Sequence, residues 1–387
     1  MPLAYLDWAA TARPEADIWQ DAARVAAERY ANPSSPHAAG RQAAALLADC
    51  RRRLADCLGC APEEVVFTSG GTEANNLVLF SLLLHRGRQR VVLSGLEHDS
   101  LFLAARRLEN LGGQAAIVPA AAGGRVDPAR VLGAVDPHTA LVALMLVNNE
   151  TGALQPVAEV ARGLAELSRA GGGRVMLHTD AVQAFGKIPF RPSELGVDTA
   201  AISAHKIGGP RGVGALYLRR PGRREFLNAG GGQEGGRRPG TENLAGAWAL
   251  AEAGQRASAG LPERHGQARA LMDGLITGLR SLPGCRLLPE GRGTGLPEEL
   301  FSPYILSAAF PPLPGEVLVR VMESEGYLIS TGAACSSRKK ERTRVLEASG
   351  VPRELAASSV RISIGSQTTA AELEGLLEAL RRRLPGL

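Results

Sequence analysis

Cysteine and aromatic residues are both scarce in this chain. It has five cysteines in 387 residues, an odd and small number, so no disulfide framework is expected. Aromatic residues make up 4% of the sequence and the arginine clusters are scattered. A nucleic-acid-binding face needs basic residues gathered on one side, preferably with aromatics between them. The net charge of +5 therefore indicates solvated surface charge, and direct nucleic-acid binding is not expected.

Long apolar runs are also missing. The longest, residues 140–147, is far too short to cross a bilayer. The first residues carry no basic flank before an apolar core, so we expect no signal peptide and a cytoplasmic location. Cys57 and Cys60 form a CxxC pair, but no second Cys/His pair follows at zinc-finger spacing. No metal is expected, and any role of this pair stays open.

Alternating strand and helix patterns fill the first two thirds of the chain. Apolar runs predict strands at 64–69, 90–98, 114–120, 140–149, 174–180 and 198–206. Helical patterns lie between them at 72–87, 100–113, 127–135 and 157–172, the third beginning at Asp127 as its cap. This alternation predicts an α/β fold whose mostly parallel sheet has helices on both faces.

The last third of the chain has a different pattern. Residues 228–243 are glycine-rich and predict a loop, followed by a helix-rich stretch to about residue 282. Strands are predicted at 304–310, 326–331 and 360–365, with a short helix at 344–350 and a closing helix at 369–384. We therefore expect a large domain over 13–254 and a smaller α/β domain made of 1–12 and 255–387.

Chemically capable residues follow several of the predicted strands. Gly71 and Thr72 lie at a strand-to-helix turn, where backbone N–H groups and a hydroxyl can hold an anion. Asp180 ends another strand, the position at which such sheets bind ligands, although a strand-end Asp is also a common helix cap.

A third group supplies an amine. Ser203, His205 and Lys206 lie together just past a strand and offer two phosphate donors and a possible Schiff-base lysine. A lysine beside glycines is by itself an ordinary surface feature. Together with Asp180 and the turn at Gly71 and Thr72, however, the lysine suggests a single binding site.

Ten ordered sequence blocks resemble one enzyme family. The sequence is similar to the cysteine desulfurases (NifS-like and IscS-like) of the class V aminotransferase group, which are fold-type-I enzymes of pyridoxal 5'-phosphate (PLP). The blocks are YLDWAAT, NPSSPHAAG, FTSGGTEANN, EHDS, NNETG, HTDAVQAFGK, SAHKIGGPRG, GGGQEGGRRPGTEN, STGAACSS and SSVRISIG. The resemblance implies a seven-stranded sheet and a homodimer.

The resemblance implies a role for each matching residue around the ring of PLP. Lys206 would hold the cofactor as a Schiff base and move the Cα proton. Asp180 would pair with the ring nitrogen and keep it protonated. His98 would stack on the ring as an acid–base group, and Gln183 would hydrogen-bond the ring oxygen.

The phosphate and the substrate are assigned in the same way. Gly71, Thr72, Ser203 and His205 would hold the phosphate, and Thr241 would reach the phosphate of the partner subunit. Asn149, which also borders the cofactor, and Arg361 would bind the carboxylate of L-cysteine, for which an arginine offers a two-pronged donor.

Cys335 decides the expected reaction. It lies in a Gly/Ala/Ser-rich stretch without apolar periodicity, which is typical of a reactive loop thiol rather than a buried one. The basic residues at 338–344 would favour its thiolate and steer an acidic acceptor protein. The expected products are alanine and a persulfide on Cys335.

Several alternatives remain open at this point. A selenocysteine lyase or another class V PLP aminotransferase would keep Lys206 and Asp180 without needing Cys335. A non-catalytic sulfur-carrier scaffold would keep the fold alone. The acceptor is also open, an iron–sulfur scaffold and a tRNA-thiolation protein being two classes. Two departures from the family pattern, the basic segment after Cys335 and IGGPRG without an aromatic residue, bear on partner and substrate choice.

Overall fold

The computed structural model describes residues 3–84, 87–121, 123–171, 173–220, 225–332 and 343–386. Its strands are β1 (Ala4–Tyr5), β2 (Val65–Thr68), β3 (Arg90–Ser94), β4 (Gln114–Val118), β5 (Thr139–Ala143), β6 (Met176–Asp180), β7 (Thr199–Ser203), β8 (Gly214–Leu218), β9 (Arg286–Leu288), β10 (Ile305–Ala309), β11 (Tyr327–Leu328) and β12 (Ser359–Ser363).

Helices separate most of these strands. They are α1 (Ala16–Glu28), α2 (Ala38–Leu58), α3 (Gly71–Phe80), α4 (Asp99–Asn110), α5 (Pro128–Gly133), α6 (Val157–Arg169), α7 (Pro192–Leu195), α8 (Leu244–Ser258), α9 (Leu261–Arg280), α10 (Gly315–Ser324), α11 (Arg344–Ala348), α12 (Arg353–Ala357) and α13 (Ala370–Arg383). Asp127 caps α5 as expected, because its side chain accepts from the N–H of Ala129. None of these helices is both long and apolar enough to cross a membrane.

The central sheet has seven strands in the order β2-β8-β7-β6-β5-β3-β4. Only β8 runs antiparallel to its two neighbours, and the other pairings are parallel. The fold expected from the sequence, a mostly parallel seven-stranded sheet between helices, is therefore confirmed. The antiparallel β8 was not predicted, since a run of five residues between two turns carries no period that distinguishes it from a loop.

Apolar residues on the two faces of the sheet form two cores. One face packs with α3 and α4, and the other packs with α2, α6 and α8. Adjacent strand residues such as Val66 and Phe67, or Val91 and Val92, point to opposite cores. This alternation buries both faces, as a parallel sheet requires.

A second, antiparallel sheet lies in the last third of the chain, with β10 between β9 and β12. The N-terminus joins this region, because β1 pairs with β11 and Asp7 bridges to Ser363. The boundaries 13–254 and 255–387 stay predictions.

Some predicted elements are wrong in extent. The strand expected at 140–149 ends at Ala143, and the strand expected at 198–206 ends at Ser203. Their last residues form turns that carry site groups. The sequence patterns did not predict α1, α10 or α12.

Candidate active site

The carboxyl ends of β2, β3, β5, β6 and β7 meet at one edge of the central sheet, because β8 alone reverses direction. The loops that leave these ends surround a cavity of about 230 Å³. All of the predicted site residues but two line this cavity, namely Gly71, Thr72, His98, Asn149, Asp180, Gln183, Ser203, His205, Lys206 and Arg361. Thr241 does not line it, and Cys335 lies outside the described residues.

Asp180 lies on the floor of the cavity and is held by two donors. Its Oδ1 accepts from the N–H of Val182 at 3.0 Å, and its Oδ2 accepts from Asn75 Nδ2 at 2.8 Å. The residue is only 6% exposed. The carboxylate is therefore fixed in orientation by neutral donors, and a cationic partner in the cavity would be strongly favoured.

Asn75 is the centre of a directional hydrogen-bond network. Its Oδ1 lies 2.9 Å from His178 Nε2, while His178 Nδ1 lies 2.8 Å from Thr199 Oγ1. Burial lowers the pKa of His178 to about 4, so the ring is neutral and one nitrogen must accept. With Thr199 donating to Nδ1, the Nε2 hydrogen of His178 goes to Asn75, which leaves both amide hydrogens of Asn75 for its other partners.

The network ends at His98. Asn75 Nδ2 also donates to Ser100 Oγ at 2.8 Å, and Ser100 Oγ lies 2.8 Å from His98 Nδ1. The backbone N–H of Ser100 donates to the same Nδ1 at 3.1 Å, because His98 caps the N-terminus of α4. Nδ1 is thus an acceptor, and a neutral His98 carries its hydrogen on Nε2.

Lys206 follows β7 in a short turn, Ala204–Lys206. Its Nζ donates to the carbonyls of Ala9 and Ala10 at 2.6 and 2.7 Å. The adjacent His205 lies 3.2 Å from Thr11 Oγ1 through Nδ1. Burial, and then the charges of Lys206 and Lys187, lower the pKa of His205 to about 4, so it is a neutral donor or acceptor here.

The turn between β2 and α3 forms the anion-binding side. Gly71 and Thr72 open α3, where unpaired backbone N–H groups and the helix dipole favour a phosphate. The turn packs tightly on β8, since a Cβ on Gly214 would lie 2.6 Å from the Cα of Gly70. Ser203 ends β7 beside it. Any residue larger than glycine at position 214 would therefore displace this turn.

The opposite wall of the cavity contains polar atoms without partners. Asn149 Oδ1, Glu150 Oε2 and Arg361 Nε are buried, and none has a hydrogen-bond partner among the described residues. The other nitrogens of Arg361 are used, since Nη1 donates to the carbonyls of Asn149 and Gly332 at 2.9 Å and Nη2 donates to Asp7 at 2.8 Å. This wall has hydrogen-bonding capacity that a polar ligand could satisfy.

Glu150 was quoted within the NNETG block but was not predicted as a site residue. It lines the cavity, is 5% exposed, and has a pKa raised to about 7 by burial. Glu97 is fully buried and accepts from Ser94 Oγ and from the N–H of Met145, and burial raises its pKa to about 8. Asn75, Ser100 and Lys187 were missed in the same way. Their only sequence signal was membership of the quoted blocks, since Asn75 bonds to residues distant in sequence and no apolar pattern reveals side-chain hydrogen bonds such as those of Ser100 and Lys187.

Arg344 is the first basic residue described after Cys335, and its charge is not free. Its guanidinium stacks on Phe102 at 4.0 Å and donates to the carbonyls of Gly95 and Glu97. It also pairs with Asp99 at 3.1 Å. Arg344 is therefore already paired within the chain, residues 338–342 lie outside the described residues, and steering of an acidic partner stays a prediction.

The glycine-rich loop, residues 228–243, is anchored to the rest of the fold by Glu234. Glu234 is buried and forms two 2.6 Å bonds with Arg51, and it also accepts from the N–H of Phe67 at 2.9 Å. Thr241, at the end of this loop, is exposed. That Thr241 contacts the cofactor phosphate of a partner subunit stays a prediction.

The described cysteines, Cys50, Cys57, Cys60 and Cys285, are all free thiols. Burial raises the pKa of Cys57, and it raises the pKa of Cys50, Cys60 and Cys285 to about 12. Within the described ranges no cluster of His, Cys, Asp and Glu could hold a metal ion. These thiols are therefore poor nucleophiles at neutral pH.

The donor set of the cavity fits PLP. A buried carboxylate suits a protonated ring nitrogen, the α3 turn suits a phosphate, and Lys206 supplies the amine. Asn149 and Arg361, which also line this cavity, each have a buried polar atom without a partner among the described residues, and they would supply further polar groups for an amino-acid substrate.

Comparison with known proteins places the chain in a family. The sequence pattern of the family described as aminotransferase class-V matches residues 4–376. The chain is 34% identical to the cysteine desulfurase IscS of Dictyoglomus turgidum, over 98% of this chain and 93% of that protein. It is 38% identical to a cysteine desulfurase of Cereibacter sphaeroides, with 98% and 95% covered.

Two further matches are a selenocysteine lyase and a solved structure. A selenocysteine lyase of Xenopus laevis is 36% identical over 98% of this chain and 93% of its own length. A solved structure titled NifS-like protein superimposes with a TM-score of 0.90 at 32% identity, covering 100% of both chains. The family expected from the sequence is confirmed by these matches, and the chain belongs to the class V aminotransferases.

Proposed function

We propose that this chain is a PLP-dependent cysteine desulfurase, which converts L-cysteine to L-alanine and leaves the sulfur on Cys335 as a persulfide. The observation that carries the proposal is the joining of Lys206, the Asp180 carboxylate and the α3 turn around one cavity with the Arg361 wall opposite. Cysteine desulfurases of 34 and 38% identity, aligned over nearly the whole chain, support it.

PLP, when bound, supplies an electron sink that acidifies the Cα–H bond of an amino acid. Lys206 holds it through Nζ, and Asp180 maintains a proton on the ring nitrogen. Gly71, Thr72, Ser203 and His205 bind the phosphate, and Thr241 of a second subunit completes the site. Asn149 and Arg361 bind the substrate carboxylate, which selects an α-amino acid.

Proton transfer falls to Lys206 and His98. Lys206 moves the Cα proton, because its amine lies in the cavity and can alternate between donor and base. His98 Nε2 serves as the second acid–base group, since Nδ1 is occupied by Ser100. Ser100 and Asn75 hold the ring in position.

Cys335 accepts the sulfur. The sulfur–carbon bond of the substrate breaks while a sulfur–sulfur bond forms, so that cysteine plus the protein thiol gives alanine plus the persulfide. Gly332, three residues before Cys335, lines the cavity. Three residues of chain span at most about 11 Å, so the covalent connection permits this thiol to reach the cavity. The persulfide then passes to an acceptor protein.

The test measures both products. Purified protein is incubated with L-cysteine and a thiol reductant, and alanine and sulfide are expected in equal amounts. Lys206→Ala should abolish the reaction, and Cys335→Ser should lower alanine formation by about a hundredfold, since a serine hydroxyl is a far weaker nucleophile. Cys285→Ser is the matched control and should keep full activity. Full activity of Cys335→Ser with cysteine would refute the persulfide route.

A second candidate, selenocysteine lyase, is favoured by the similarity to the Xenopus laevis protein. Selenium leaves carbon more easily than sulfur does and needs no protein thiol. A selenocysteine lyase would therefore retain most of its activity on selenocysteine in Cys335→Ser while showing little activity on cysteine in the unmodified chain. A desulfurase shows the reverse preference in kcat/KM.

A further inference from the structure

Lys187 is a buried lysine beside the cavity for which the mechanism above has no role. It is 8% exposed, and its Nζ donates to Gln183 Oε1 at 2.8 Å. Gln183 in turn donates from Nε2 to the carbonyl of Ala9 at 2.8 Å. The same carbonyl accepts from Lys206 Nζ. Lys187 is thus connected to Lys206 through the side-chain amide of Gln183 and the backbone carbonyl of Ala9.

A primary amide has two ends that differ in chemistry but hardly in shape. Without directional partners, either the oxygen or the NH₂ group of Gln183 could face a given neighbour. Here both ends are assigned by partners that leave no choice. A lysine ammonium only donates, so it requires Oε1, and a backbone carbonyl only accepts, so it requires Nε2.

One hydrogen of Nε2 remains after this assignment. Nε2 carries two hydrogens, and the carbonyl of Ala9 takes one of them. No other described residue is bonded to Nε2, and Gln183 lines the cavity between Asp180 and Lys206. We propose that Lys187 is a positioning residue that fixes the amide of Gln183 so that this second hydrogen is presented to the ring oxygen of the cofactor.

The inference rests on the proposed function, because it assumes a cofactor with an anionic ring oxygen. A donor at that oxygen favours the ionised form, which absorbs visible light, whereas a carbonyl oxygen turned toward it would repel the charge. Burial, and then the charges of Lys206 and Arg361, lower the pKa of Lys187 to about 7. The neutral amine still carries N–H groups, and the carbonyl of Ala9, which only accepts, keeps Nε2 on its own side, so the bond from Lys187 to Oε1 can form in either protonation state.

Three variants isolate the effect. Lys187→Met has a similar volume and no donor. Lys187→Arg restores a group that only donates, and a second cavity of about 140 Å³, which borders Lys187, gives the guanidinium space. Gln183→Met removes the amide, and the double variant shows whether Lys187 acts through it.

The experiment titrates each apoprotein with PLP and records the visible and near-ultraviolet bands as well as the affinity. Loss of one oriented hydrogen bond should weaken PLP binding about three- to tenfold in Lys187→Met and shift intensity from the visible to the near-ultraviolet band. Lys187→Arg should restore the unmodified spectrum. In the Gln183→Met background, the second substitution should add nothing.

Failure of the inference differs from failure of the proposed function. An unmodified chain without any lysine-linked band would refute the proposed function. A normal band in the unmodified chain together with an unchanged spectrum and affinity in Lys187→Met would refute the inference alone. An undiminished effect in the Gln183→Met background would also refute it. If Lys187→Met apoprotein unfolds, Lys187→Gln, which reaches one bond less far, replaces it and should show the same spectral shift.

Discussion

The two walls of the cavity differ in how completely the chain satisfies its own polar groups. On the Asp180 wall, the side chains of Asn75, His178 and Ser100 are paired with one another and with the carboxylate. On the Arg361 wall, Asn149 Oδ1 and Arg361 Nε are buried without partners among the described residues. The polar groups of the first wall are satisfied within the chain. The unsatisfied polar atoms of the second wall lower the stability of the fold, but they can bind a ligand.

Two asparagines, one on each wall, make this comparison testable. Asn75→Ala should cause the larger loss of stability, because it leaves His178 Nε2 and one oxygen of Asp180 without partners. Each buried group left unsatisfied costs about 1–3 kcal/mol, so the two together should cost about 2–6 kcal/mol. Urea unfolding of the apoprotein measures it. A loss below about 0.5 kcal/mol would show that the network is not a stabilising unit.

Asn149→Ala should have the opposite profile. Since Oδ1 has no partner to lose, the unfolding free energy should change by less than about 0.5 kcal/mol. The KM for L-cysteine should rise about tenfold, the value of one good hydrogen bond to a charged group. Steady-state kinetics and urea unfolding of the same preparation check both halves. A large loss of stability with an unchanged KM would contradict the view that the Arg361 wall binds substrate rather than stabilising the fold.

The pH dependence of stability extends the comparison to Glu97, a buried carboxyl group that does not line the cavity. Burial raises the pKa of Glu97 from 4.5 to about 8, so the folded chain keeps a proton that the unfolded chain releases. This contribution to stability is fully present below pH 4.5 and is lost as the pH rises to about 8. Glu97→Gln is neutral throughout and keeps the acceptor for Ser94 and Met145.

We therefore expect the unfolding free energy to fall less between pH 5 and pH 8 in Glu97→Gln than in the unmodified chain. Urea unfolding at both pH values measures the difference. Glu159→Gln, on the exposed surface of α6, is the control and should leave the slope unchanged. Parallel slopes in all three proteins would mean that Glu97 does not hold its proton.

The smallest effect concerns the basic residues that follow Cys335 in the sequence. Neutralising Arg338, Lys339 and Lys340 together should slow sulfur transfer to an acidic acceptor protein by about two- to fivefold at low salt, because steering is screened as ionic strength rises. Alanine release to a small thiol should hardly change. Arg344→Gln is the contrasting variant, since Arg344 is held by Asp99 and should affect alanine release. Equal losses in both assays for the triple variant would remove the docking role.

The sequence predicted the cofactor side of the site better than the groups that support it. Asp180 and Ser203 end strands and Lys206 follows one, and strands of this kind can be predicted from local apolar patterns. Asn75 and Lys187 act through partners 105 and 4 residues away, and only the fold shows what they contact. Arg344 illustrates the converse, since its neighbours suggested a free charge while its guanidinium is held by residues some 250 positions earlier.

The Arg51–Glu234 pair has a consequence for how the molecules behave in a concentrated solution. β2 is an edge strand, and such edges expose backbone groups that can pair with another chain. Arg51 donates to the carbonyl of Val65 at 2.7 Å, and Glu234 accepts from the N–H of Phe67 at 2.9 Å, both on the open side of the strand. The ion pair therefore occupies the ladder positions that a foreign strand would use, and it protects the protein against edge-to-edge aggregation.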